Sequence, residues 1–113
     1  MVNLLDWIIE EAQSYRISAY DCGDPSDISN GIFPIRFALK RNPSAFRKTG
    51  VFDSTGKEIW IAQTNLDLSG AEIIMSYTVR YVINDDLRIV LMLHVEVTPP
   101  DNMQWNNDDL PFV

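Results

Sequence analysis

The sequence predicts an α+β domain: one N-terminal helix packed on a four- to five-stranded antiparallel sheet. Three observations carry this expectation. Residues 4 to 16 space their apolar side chains as a helix does, residues 33 to 41 and 71 to 97 alternate apolar with polar side chains, and the long alternating segment leaves one sheet face dry enough to need a helical cover.

In LLDWIIEEAQSYR, residues 4 to 16, Leu5, Ile8, Ala12 and Tyr15 form one stripe, with Glu10, Glu11 and Gln13 away from it. Asn3 is the expected N-cap, and Asp6 in the first turn suits the positive end of the helix dipole. DCGDPSDISNG, residues 21 to 31, is dense in Asp, Ser, Gly and Pro and reads as a loop. FPIRFALKR, residues 33 to 41, sets Phe33, Ile35, Phe37 and Leu39 against Arg36, Ala38 and Lys40, the period of a half-buried strand, and Pro34 suits a strand start.

Asp53-Ser-Thr-Gly56 lies between apolar segments and predicts a hairpin turn, with the glycine at positive φ. From 71 to 97 the odd positions are large and apolar: Ile73, Met75, Tyr77, Val79, Tyr81 and Ile83, then Leu87, Ile89, Leu91, Leu93, Val95 and Val97. This predicts a long antiparallel hairpin about Asn84-Asp85-Asp86, with odd residues inward on both strands. Helix first and meander after is similar in order to the cystatin-like arrangement. Pro99-Pro100 ends the pattern, so residues 1–98 are expected to form one domain and 99–113 a tail.

At 113 residues, 46% hydrophobic and 22% charged, the chain has the composition of a single globular core. Its net charge of −7 disfavours phosphate backbones and membrane surfaces and favours basic partners. Five of the nine cations, Arg36, Lys40, Arg41, Arg47 and Lys48, nevertheless fall within thirteen residues. One cysteine, Cys22, allows no internal disulfide. The start of the chain lacks a basic leader, and the longest apolar run, residues 89 to 93, is far short of a membrane span. A cytoplasmic location is expected.

Little in the sequence points to catalysis. With one histidine, His94, and one cysteine, neither a His-based nor a thiolate metal cluster is available, and a Cys22–His94 nucleophilic pair is a weak alternative to an ordinary surface histidine. DSTGKE, residues 53 to 58, fails as a phosphate loop: Val51 stands where the first glycine belongs, and Glu58 follows Lys57. No enzyme activity and no cofactor are expected.

The even-numbered face is more informative. Trp60 and Met92 among Arg80 and Arg88 exceed what a solvated face requires and predict a contact surface for a protein partner, which can be a second copy of the chain. The function expected is that of an adaptor, inhibitor or assembly factor. The alternative is single-stranded DNA, with Trp60 stacking a base and Arg36, Lys40, Arg80 and Arg88 following the backbone.

NNDDLPF, residues 106 to 112, resembles the acidic C-terminal tip of bacterial single-stranded DNA-binding proteins. The resemblance implies a partner-recruiting tip in which Asp108 and Asp109 make acidic contacts, Leu110 and Pro111 shape the segment and Phe112 is the anchor. Val113 departs from that pattern, which ends on phenylalanine. Read for apolar content alone, the same segment is a clasp that docks on the sheet.

Overall fold

The computed structural model describes residues 6–68 and 73–98; the backbone alone is described at 65–68 and 73–75. The order is β1 (Ile8–Glu11), α1 (Gln13–Cys22), α2 (Pro25–Arg41), a 3-10 turn (Pro43–Ala45), β2 (Arg47–Phe52), β3 (Glu58–Leu68), β4 (Ile73–Asn84) and β5 (Ile89–Thr98). Two helices cover one face of a five-stranded sheet ordered β1-β5-β4-β3-β2, antiparallel except where β1 runs parallel to β5. The class is α+β as expected, with two helices in place of one and a strand in place of a helix at the start.

The helix expected over 4 to 16 is instead β1 followed by α1. Tyr15 keeps its inward place, while Ile8 is 56% exposed on the sheet edge. The larger correction is α2, where a loop and a strand were expected. Asp24 caps it by accepting from the Ser26 amide at 2.8 Å, Pro25 occupies the first turn, and Lys40 and Arg41 sit at the negative end of the dipole. Ile28, Ile32, Ile35 and Leu39 recur at helical spacing and are all buried, whereas Phe33 and Phe37 from the supposed strand stripe stand in solvent. Residues 33 to 39 fit both periods. Extending the window back to Ile28 selects the helix.

The core lies between the helices and the sheet. Tyr15 and the four α2 residues meet Ala62, Tyr77, Val79, Tyr81, Val90, Met92 and Val95. Tyr81 is fully buried, and its hydroxyl donates to the Pro43 carbonyl; burial pushes its pKa well above the usual tyrosine value. Gly31 lies against the Tyr77 ring so closely that a β-carbon there would overlap three ring carbons, the farthest at 2.6 Å.

The Asp53–Gly56 turn is present. Asp53 accepts from the Thr55 amide and hydroxyl and from the Lys57 amide, and Gly56 has φ 86°. These bonds to the charged form hold the Asp53 carboxyl below its usual pKa, the Thr55 hydroxyl foremost. The β4–β5 hairpin is present too, but its parity differs from expectation. Tyr81 pairs with Met92 while Arg80 pairs with His94, so Leu93 is an extra residue in β5. An inserted residue moves everything after it to the other face. Val90 and Met92 therefore point inward on one side of the bulge, and Val95 does on the other.

Beyond Met92 the border of β5 has no strand beside it among the described residues. There α1 lies alongside. Ser14 Oγ donates to the Leu93 carbonyl at 2.6 Å, the Val95 amide donates to Ser18 Oγ at 3.0 Å, and the Cys22 thiol donates to the Val95 carbonyl at 3.6 Å. Three side chains spaced four apart thus satisfy backbone groups that a neighbouring strand would otherwise take.

Candidate protein-interaction surface

Among the described residues, helices cover one face of the sheet only, so the other face is the natural place to look for a site. Strand alternation and the observed pairing put Ile61, Arg80 and His94 in one row across it, with Arg47 beside Ile61. Val82 and Leu91 form the next row, with Glu10 beside Leu91 and, by alternation, Ile59 beyond Val82. Ile89 and Ile8 pair at the β1 edge. Ile59, Ile61, Val82, Leu91, Ile89 and Ile8 thereby form an apolar area on a face that no helix covers among the described residues. Val82 is 4% exposed.

The other end of the same face is polar. Arg80 donates to Glu96 at 2.8 Å, and this bond holds the Glu96 carboxyl below its usual pKa. Gln63 donates to Ser76 Oγ at 3.1 Å. An apolar area beside a rim of paired charge is the composition of a protein-contact surface.

Of the residues expected to form the contact surface, Arg80 lies on this face. Trp60 does not: it pairs with Tyr81 and shares the helix-covered side, where the two rings stack with centroids 6.3 Å apart and Lys48 lies 5.5 Å over the indole. Trp60 does lie on the opposite side of β3 from Ile59 and Ile61, but that side is the one the core uses, so its expected outward placement is overturned. Met92 is fully buried, moved inward by the hairpin register. Arg88 is in the β4–β5 turn at φ 54°, its guanidinium 4.5 Å over the Trp7 ring. Asp108, Asp109, Leu110 and Phe112 lie outside the described residues.

The groove expected for single-stranded DNA is not assembled. Arg36 and Lys40 are on α2, in the layer opposite Arg80, and Arg36 is paired with Glu11 at 3.2 Å. Trp60 faces the core between them. The Cys22–His94 pair is not assembled either, although both residues border one shallow groove along α1 and β5. The thiol donates to Val95, and burial pushes its pKa up, so it is less nucleophilic rather than more. Among the described residues no group of three or more His, Cys, Asp or Glu is placed to hold a metal ion, and no helix is long and apolar enough to cross a membrane.

The helical layer carries a second exposed apolar feature that the sequence reading placed on a strand. Phe33 and Phe37 stack at 6.4 Å, and Arg41 lies 4.8 Å over Phe37, a ladder with helical spacing.

No family model matches the sequence, and no curated protein matches it. Among solved structures, the toxin–antitoxin complex RelBE2 from Mycobacterium tuberculosis contains a similar chain: TM-score 0.59 at 14% identity, covering 85% of this chain and 95% of that one. At that identity the likeness establishes a shared fold.

Proposed function

We propose that this chain is a non-catalytic protein-interaction domain, of the adaptor, inhibitor or assembly-factor kind, whose partner seats on the uncovered sheet face. The observation that carries the reading is the apolar area of Ile59, Ile61, Val82, Leu91, Ile89 and Ile8 on the sheet face that no helix covers among the described residues. Burying such an area contributes roughly 25 cal/mol for each Å² removed from water, and a partner supplies what the chain's own helices do not. The RelBE2 likeness supports the reading in kind, because that similar chain belongs to a toxin–antitoxin complex. Arg80, with Glu96 and His94, gives the rim that sets register and orientation.

The test uses a photo-crosslinking residue at Leu91, with the same residue at Leu87 in the exposed hairpin turn as control. A protein captured through position 91 alone is purified, and its affinity is measured for the wild type and for Leu91→Asp. The expected loss is at least about tenfold, since a carboxylate would be buried without a partner. Capture of the chain itself would identify the partner as a second copy. Equal capture at both positions, or equal affinity of Leu91→Asp, would exclude the face.

A further inference from the structure

Between α1 and α2, on the layer opposite the open sheet face, lies a cleft of about 430 Å³, within the range of small-ligand sites. One end is apolar, floored by Ile28 and Ile32 from α2. The other holds Glu11, Arg16 and Arg36, where the single carboxylate is shared by two guanidiniums: Arg16 Nε at 3.5 Å and Arg36 Nη1 at 3.2 Å. A guanidinium has five N–H donors, so one carboxylate leaves donors unused and one positive charge in excess.

Tyr15 is a second, independent observation. It lines the cleft and is only 2% exposed, yet its hydroxyl makes no hydrogen bond to any described residue. The hydroxyl is therefore a donor free to meet a ligand in the cleft. Burial first, and then the Glu11 charge, push its pKa up to about 12, so it remains a proton donor across the physiological range.

We propose that this cleft binds an apolar carboxylate. The carboxylate accepts from Tyr15 Oη and Arg36, Arg16 adds charge at the mouth, and the apolar body lies along Ile28 and Ile32. An anion is selected over a cation because two guanidiniums outweigh Glu11. An apolar body is favoured because Ile28 and Ile32, with Ala19 and Pro25, make up most of that part of the lining, where Ser29 and Tyr20 add the polar groups. The same chemistry is presented by a free organic acid and by an acidic side chain next to a large apolar one in a peptide.

Two probes separate those sources: 3-phenylpropionate and the peptide acetyl-Asp-Leu-Phe-amide, each titrated into the full chain with backbone amide shifts as readout. Shifts centred on Ala19 and Ile32 are expected for at least one probe, and the tighter of the two identifies the source. 3-Phenylpropionamide, isosteric but uncharged, should bind about tenfold more weakly than its acid, as should the acid to Arg36→Gln. Tyr15→Phe keeps the ring and removes the donor; it should weaken binding several-fold with the melting temperature unchanged. Arg41→Gln, on the far side of α2, should bind as the wild type does. Equal affinity for acid and amide would overturn the proposal, as would shifts confined to other parts of the fold or no shifts from either probe.

Discussion

Gly31→Ala should destabilise this protein although it replaces glycine with the best helix former in the middle of a helix. In an exposed helix the exchange would stabilise by roughly 1 kcal/mol. At this position, however, the new β-carbon would stand within 2.6 Å of three Tyr77 ring carbons, where ordinary contact begins near 3.4 Å. The ring cannot yield, being 4% exposed beneath α2. The helix cannot lift without also drawing Ile28, Ile32, Ile35 and Leu39 away from the sheet. Forced overpacking of this kind costs about 1 to 3 kcal/mol, occasionally more. A rigid ring meeting a backbone-attached carbon belongs at the upper end, leaving a net loss of about 2 kcal/mol and a melting temperature lower by roughly 10 °C. Urea unfolding of the wild type, Gly31→Ala, Tyr77→Leu and the double variant closes a thermodynamic cycle. In the Tyr77→Leu background Gly31→Ala should be far less harmful, with a coupling of about 1 to 3 kcal/mol. If Gly31→Ala were as stable as the wild type, or equally harmful in both backgrounds, the close approach of α2 to β4 would be wrong.

Trp60→Ala should lower stability by about 2 to 4 kcal/mol in urea unfolding, because the indole packs on Tyr81 at the core boundary; a change under roughly 1 kcal/mol would place it back in solvent. Ser18→Ala leaves the Val95 amide without its acceptor and should destabilise by about 1 to 3 kcal/mol, with Val95 amide exchange accelerated more than that of Val79 in the sheet interior. Glu96 titrates lower in the folded state than in the unfolded chain, chiefly through its bond from Arg80. Its contribution is therefore present above the ordinary glutamate value of 4.5 and fades as pH falls through the depressed one. In Arg80→Met the carboxyl, followed by NMR, should titrate at higher pH; an unchanged midpoint would remove the pair.

The hairpins were legible because their signals are local: Asp53 and Gly56 sit where a turn needs a side-chain acceptor and a positive φ. The inward parity of β4 was legible for the same reason, as Tyr77, Val79 and Tyr81 alternate without interruption. What depended on pairing across the sheet was not. Leu93 looks like any other member of an alternating run, and only its missing partner in β4 shows that Met92 turns inward. The helix α2 was hidden by its own composition: Gly31 and Pro34 argue against a helix locally, and Phe33 and Phe37 mimic strand alternation. Its buried stripe becomes visible only across the full span from Ile28 to Leu39. The open sheet face follows from that misreading, since one supposed strand was in truth the element covering the opposite side. The α1–α2 cleft could not be anticipated while α2 was read as a strand.

The side chains with which α1 meets β5 also decide how far this sheet can grow. With Leu93 and Val95 already bonded to Ser14, Ser18 and Cys22, the strand borders left on that flank among the described residues are the four residues of β1 and the last residues of β5. The opposite flank is β2, whose register is broken between Lys48 and Phe52 and whose Gly50 sits at φ 80°. An open-ended stack needs two long, mutually complementary borders on every copy, and the described residues offer no such pair. The serine and cysteine stripe of a single helix therefore does for this sheet what a further strand would do, closing part of its border to strand addition from outside.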